Sequence, residues 1–270
     1  MDASRAAICR AALVLALACA PALTGCHRGG AFPTAATGEV PDPGYRGAPQ
    51  LTGAVRESDG DVALVGRAMP SARLRMVSPE GARIETTADG SGAWRAAMGP
   101  VSEPALYRLA AESNGQRIEA EGLVAVLPGA PMVALLRAGA GADAFDPGKP
   151  GLRILAVDYD RGGAAVVSGR APPSSPMRIL VDGTLAVETA AGPDGRFSLI
   201  LPKPLTPGVR QLQAVTSKAV AAVQITVTPP ALPKDGSYQA VAVGGGWRID
   251  WMTPGGGPQT TLLLPSPAAG

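Results

Sequence analysis

The sequence predicts an all-β protein: two tandem β-sandwiches followed by a small C-terminal β-meander. Three observations carry that expectation. Apolar residues recur at every second position in short segments, which places alternate side chains on opposite faces of a strand. Turn signals built on Gly, Asp and Asn separate these segments at intervals typical of an antiparallel sandwich. The chain also matches itself when slid by 103 residues, in one register throughout.

The duplication sets the order of elements. Val65-Gly66-Arg67-Ala68-Met69-Pro70 falls on Ser168-Gly169-Arg170-Ala171-Pro172-Pro173. Leu74-Arg75-Met76 falls on Met177-Arg178-Ile179, and Ile84-Glu85-Thr86 on Val187-Glu188-Thr189. Trp94, Ala96 and Met98 mirror Phe197, Leu199 and Leu201; Leu109 and Ala111 mirror Leu212 and Ala214. In each segment the aliphatic residues face inward and Arg or Glu outward. Turns are expected at Ser58-Asp59-Gly60, Pro79-Glu80-Gly81, Asp89-Gly90, Asn114-Gly115, Asp182-Gly183 and Asp194-Gly195, where Asp-Gly and Asn-Gly supply the positive φ that tight hairpins need. No segment beyond the N-terminal stretch has a good run at helical spacing.

Composition bounds the chemistry. The 270 residues carry 24 Lys and Arg against 22 Asp and Glu, a formal net charge of +2, so no nucleic-acid partner is expected. Hydrophobic residues make up 46% but aromatics 4%, which calls for an aliphatic core. One His (His27) and three Cys (Cys9, Cys19, Cys26) leave histidine metal sites, Ser-His-Asp triads and Cys-His dyads without their residues. No catalytic residue, metal site or cofactor is expected.

The N-terminus reads as an address and an anchor. Arg5 and Arg10 precede an apolar run from Ala11 to Ala22, too short for the ~20 residues that span a bilayer and suited to a secretory signal. The run ends in Leu23-Thr24-Gly25-Cys26, which resembles the lipobox of bacterial lipoproteins. That resemblance implies cleavage before Cys26 and lipidation of its thiol, hence a membrane partner through lipid. The mature chain then keeps 22 positive and 21 negative charges and has no free thiol. His27 in place of an aspartate after the cysteine favours the outer over the inner membrane, with the protein facing the periplasm. Residues 1–25 are thus the signal. Residues 26–49, rich in Gly, Pro, Ala and Thr, form a flexible tether.

The remaining boundaries follow from the repeat: a first sandwich at 50–130, an extension and linker at 131–150, a second sandwich at 151–230, and a meander and tail at 231–270. Leu152 to Pro229 resembles bacterial Ig-like domains, in particular those beside LysM peptidoglycan-binding modules in Gram-negative envelope proteins. Ser168-Gly169-Arg170-Ala171, Val181-Asp182-Gly183 and Pro193-Asp194-Gly195-Arg196-Phe197-Ser198-Leu199 carry the resemblance. Gln50 to Leu127 is a more divergent copy, with Ser91 in place of an aspartate and Met69 in place of a proline. Such domains are spacers and interaction modules, and the resemblance implies architecture more firmly than function.

The C-terminal strip holds the candidate contact residues Trp247, Arg248 and Trp251. Trp247-Arg248-Ile249 is similar to the stretch that opens a LysM helix, but Pro254 and Gly255 to Gly257 would break that helix, so no LysM module is expected. On a strand, Trp247, Ile249 and Trp251 share one face and Arg248, Asp250 and Met252 the other. A two-Trp face either stacks on sugar rings or docks on the second sandwich.

Further candidates are weaker. Asp158 and Asp160, with Glu57, Asp59 and Asp61 in the first copy, put carboxylates at equivalent turns, where hard cations bind or water solvates them. Gly244-Gly245-Gly246 lacks the Lys-Ser/Thr and helix of a phosphate loop. Arg67, Arg73, Arg75, Arg170 and Arg178 line strand faces that could meet anionic surfaces. The expectation is a non-enzymatic, lipid-anchored envelope protein whose modules hold the C-terminal segment toward peptidoglycan or a periplasmic partner. The alternative is a protein-interaction subunit of an envelope transport, secretion or surface-structure complex.

Overall fold

A computed structural model describes residues 47–57, 61–129, 133–145 and 150–265. The signal, Cys26, most of the tether and the Asp59 turn lie outside the described residues. The first copy forms β1 (Gln50–Arg56), β2 (Val62–Arg67), β3 (Arg73–Val77), β4 (Arg83–Thr87), β5 (Ala93–Gly99), β6 (Ala105–Ser113), β7 (Gln116–Glu119), β8 (Leu123–Val126), β9 (Val133–Leu136) and β10 (Asp143–Ala144). The second forms β11 (Arg153–Asp160), β12 (Ala165–Arg170), β13 (Pro176–Val181), β14 (Thr184–Ala190), β15 (Arg196–Ile200), β16 (Gly208–Val215) and β17 (Val220–Val227). The meander is β18 (Tyr238–Val243), β19 (Gly246–Met252) and β20 (Pro258–Leu263). Every described element is a strand, and each pairing is antiparallel.

The two copies share a plan in fine detail. β1-β2-β5 faces a sheet containing β4-β3-β6, and β11-β12-β15 faces β14-β13-β16-β17. The ladder of β1 on β2 slips between Leu51 and Gly53, and that of β11 on β12 slips between Ile154 and Ala156, one repeat length later. Ser71 and Ser174, again equivalent, both take positive φ. Gly66 and Gly169 sit where an added Cβ would run into the backbone carbonyl of Gln50 or Arg153 and into the ring of Trp94 or Phe197. The close approach of an aromatic ring to a bare backbone is therefore part of each sandwich's packing. Asn114-Gly115 and Asp182-Gly183 both have positive φ at both residues, the geometry of two-residue hairpins whose twist matches the strands.

Where the copies differ, they add strands on opposite edges. In the second copy β17 pairs with β16 along its whole length. In the first, four residues (120–123) separate the pairs Ala110–Glu119 and Tyr107–Val124 while β6 spans the same gap with two (108–109). This bulge splits the last strand into β7 and β8, and β9 and β10 then pair outward from β8. In the second copy the addition lies on the first strand: β20 pairs with β11, β19 with β20 and β18 with β19. The meander is thus half of a six-stranded sheet in the order β15-β12-β11-β20-β19-β18.

These additions create three apolar cores. The first, around Leu64, Leu74, Trp94, Leu109 and Val133, fills the first sandwich. The second, around Val157, Val167, Ile179, Phe197 and Leu212, fills the second sandwich. The third joins the sandwiches. It contains Leu106, Leu127, Leu136 and Ala144 from the first copy against Leu155, Ile249, Trp251 and Leu263 from β11 and the meander. The result is four stacked β-layers. Residues 131–150, expected as an extension and linker, hold β9 and β10, and these strands line the third core.

Candidate functional site

The meander is set by its turn. Gly244 and Gly245 both have positive φ, and Val243 pairs with Gly246 across them, so the triple glycine is a two-residue hairpin loop. Strand alternation then divides β19. Trp247, Ile249 and Trp251 face the first sandwich, as strand geometry requires; Arg248 and Asp250 face the second.

Of the three candidate contact residues, the structure withdraws Trp251. It is 1% exposed within the third core, and its indole N–H donates to the Thr261 hydroxyl at 3.1 Å. A ring enclosed on both faces has none left for a sugar. Trp247 is half-buried and donates to the Pro128 carbonyl at 3.1 Å, and Tyr238 donates its hydroxyl to the Pro104 carbonyl at 3.3 Å. Both rings clasp loops of the first sandwich. The aromatic strip therefore docks, and it docks on the first sandwich, where the second was expected.

Arg248 is held on the opposite face. Its Nε and Nη2 donate to the two Asp250 carboxylate oxygens, each at 2.9 Å, a bidentate pair with side chains 16% and 2% exposed. It also donates to the Pro229 carbonyl at 3.1 Å, to the Tyr159 hydroxyl at 3.4 Å and to the Thr228 hydroxyl. Burial alone would lower the Arg248 pKa; the hydrogen bond and charge of Asp250, with Tyr159, outweigh it and hold the guanidinium above its ordinary value. The Asp250 carboxylate further accepts from the Thr260 hydroxyl.

The acidic candidates separate. Asp158 is not at a turn: it lies in β11, 2% exposed, at the joint between the sandwiches. Its Oδ2 accepts from the Ala142 backbone N–H at 2.7 Å, and its Oδ1 from the Thr261 hydroxyl at 2.5 Å and the Gln259 amide at 3.3 Å. Burial pushes its pKa up to about 6, against the opposing pull of those three donors and the charge of Arg137. Asp160 accepts from the Ala164 N–H at the following turn, and Glu57 pairs with Arg95. Asp158 pairs with Thr261 and Asp250 with Thr260, adjacent residues of β20 on opposite faces of the sheet, so the two buried carboxylates share no cleft. Among the described residues no group of three or more His, Cys, Asp or Glu is gathered to hold a metal. Of the strand-face arginines, Arg75 pairs with Glu85 at 2.9 Å and Arg67 reaches the Ser91 carbonyl at 3.5 Å. Arg73 and Arg75 line a polar hollow with Glu85 and Glu112 on the first copy's outer face.

Alternation did not point to the joint around Asp158, Gln259 and Thr261. The available signal was the mismatch between copies: Asp158 stands where the first copy has Val55, which is 40% exposed.

The open feature of this region is a groove of about 600 Å³ between β17 and the β19–β20 pair. Val223 and Ile225 form one wall, Leu262 and Leu264 the other, and Trp247 and Arg248 lie along it. It exists because the six-stranded sheet runs past the edge of its partner: β17 is the last strand of its sheet, while β20 and β19 continue opposite.

No protein-family model matches the chain, and no curated protein matches it. Among solved structures, it is similar to a biofilm-associated protein BSP domain at a TM-score of 0.24 and 17% identity, covering 69% of this chain and 30% of that one. It is also similar to the central fibronectin-III array of a RIM-binding protein at a TM-score of 0.25 and 13% identity, covering 79% and 82%. The chain thus spans less than a third of the first of these. Similarity this low says nothing of what the chain binds.

Proposed function

We propose that this chain is a non-enzymatic, lipid-anchored envelope protein that binds a periplasmic protein partner through its second sandwich. The observation that carries the reading is the groove between β17 and β19–β20, an open apolar seam in a protein whose aromatic strip is already used internally. The same observation favours a protein partner over peptidoglycan, because Trp251 has no free ring face and Trp247 is tied to Pro128. The lipobox-like Leu23-Thr24-Gly25-Cys26 supports anchoring, and the stacked sandwiches suit a stiff spacer.

Crosslinking in intact cells tests the reading. One stoichiometric protein partner, lost when the half-buried groove residues Val223 and Leu264 are replaced by charged residues that leave the melting temperature unchanged, is the expected result. A chain that sediments with purified sacculi and captures no protein would restore the wall-binding alternative.

A further inference from the structure

The groove has a counterpart in the first copy, and there it is full. The last strand of the first sandwich, β8, is not an edge: β9 pairs antiparallel along it, Val126 to Val133 and Leu123 to Leu136. β9 is uncharged and sends Val133, fully buried, into the first core. At the equivalent place in the second copy β17 has no outer neighbour among the described residues, and the space a neighbour would cover is the groove.

β17 is also built unlike most other free edges of the protein. Its eight residues, Val220 to Val227, contain no charge, no proline and no glycine, and its ladder on β16 is unbroken. Exposed edges are usually blunted by charges, bulges or shortness. β1 carries a register slip, β4 has Arg83 and Glu85, and β15 begins at Arg196 and has five residues. Alternate residues of β17 turn their N–H and C=O away from β16, leaving half a ladder unpaired. Its inward residues Val223 and Ile225 already line the groove.

We infer that β17 is a docking edge for strand addition. Its occupant is an extended, uncharged segment of another protein, lying antiparallel to β17 as β9 lies on β8, with aliphatic side chains at alternate positions dropping onto Leu262 and Leu264. Main-chain hydrogen bonds give the affinity, and the groove selects the alternate apolar residues. The outward side chains are polar, because here the outer face meets water where β9 meets the third core. This inference rests on the interaction-module reading and names its partner class.

The test uses the full lipid-anchored chain in intact cells with a benzophenone amino acid at Ala222 or Gln224, both exposed on β17, and at Thr87 on the β4 edge as comparison. The expected result is a β17-specific adduct with a protein other than this chain, the crosslinked residue mapping to an uncharged segment with alternating aliphatics. Two blocking variants, Gln224→Pro and Val223→Asp, should each reduce the adduct about tenfold, the loss expected from one or two backbone hydrogen bonds. A circular-dichroism melt of each variant identifies any loss that comes from unfolding, and the variant that stays folded decides. Adducts only with a second copy, a mapped segment that is charged or helical, or a β17 yield no higher than that at Thr87 would overturn the inference. Capture through another face with β17 silent overturns strand addition alone; no protein captured from any position overturns the interaction-module reading as well.

Discussion

The substitution Asp158→Asn should change how stability depends on pH, in a direction set by the joint between the sandwiches. Asp158 is buried with neutral hydrogen-bond partners: the Ala142 N–H, the Thr261 hydroxyl and the Gln259 amide. The charge acting on it is that of Arg137, which itself donates to the Gly141 carbonyl. Burial raises the folded pKa to about 6, whereas an unfolded aspartate titrates near 3.9. Between those values the folded chain binds the proton more tightly than the unfolded one. The stability this confers is therefore complete at acid pH and is lost as pH rises through about 6. The gap corresponds to about 3 kcal/mol in total, of which about 2 kcal/mol falls between roughly pH 4.5 and 7.5.

The amide of the Asp158→Asn variant would keep the shape and half of the acceptor capacity without the proton. Its cost is the rearrangement of one or two hydrogen bonds, about 1–3 kcal/mol and independent of pH. The measurement is urea unfolding of wild type and variant from acid to mildly basic pH, followed by fluorescence of the tryptophans. The wild-type curve should fall relative to the variant's by about 2 kcal/mol across that range. Every other titrating group is common to both proteins and cancels in the difference. Parallel curves would refute the reasoning, because they would mean that Asp158 is solvated in the folded protein and that the joint is open in solution.

Three further outcomes follow from the same structure. Trp251→Ala should lose about 3–5 kcal/mol in urea unfolding, since the ring is 1% exposed in the third core; a loss below about 1 kcal/mol would mean that this core is not closed. Arg248→Met strands the Asp250 carboxylate, 2% exposed, and should cost about 3–5 kcal/mol, with much of the loss recovered in the Arg248→Met, Asp250→Leu double variant; additive losses would show that the pair is not coupled. Cys26→Ser should move the chain from the membrane fraction to the soluble fraction and abolish incorporation of labelled palmitate; a variant that stays membrane-bound would refute lipid anchoring at that residue.

The sandwiches were legible because their residues obey one period and are written twice. Leu74 and Met177, Trp94 and Phe197, and Leu109 and Leu212 are all buried as alternation required. The Asn114-Gly115 and Asp182-Gly183 turns close as their φ preferences dictate. The joint was not legible, and the reason is physical. Ile154-Leu155-Ala156-Val157 is a continuous apolar run where the first copy reads Leu51-Thr52-Gly53-Ala54. Such a run says that a strand is covered on both faces, but it does not name the covering surface. Leu123 to Val126 and Val133 to Leu136 carry the same signal with the same ambiguity. Pairing β20 with β11 needs long-range information that no window of sequence contains. The two tryptophans illustrate the limit: their shared face followed from spacing, but which neighbour would bury it did not.

The copies have diverged most where one packs on the other, and this divergence accounts for the location of the open edge. Leu106 is 1% exposed in the third core, whereas its equivalent Val209 is 53% exposed; Asp158 is 2% exposed, whereas its equivalent Val55 is 40% exposed. The first copy contributes the outer face of β6, β8 and β9 to the contact, and the second contributes the outer face of β11 and its meander. The contact is therefore heterologous, joining unlike faces of like units, and such a contact cannot cover the same surface on both. Whatever is closed on one copy is left open on the other. The first copy closes its last strand with β9 and leaves β1 bare; the second closes its first strand with β20 and leaves β17 bare. Of those two bare edges, β1 is interrupted by a register slip and ends in Arg56, while β17 is regular, uncharged and backed by a groove. A duplicated fold that packs on itself head to tail leaves one such edge at each end, and of these two it is β17, not β1, that has kept the features that admit another strand.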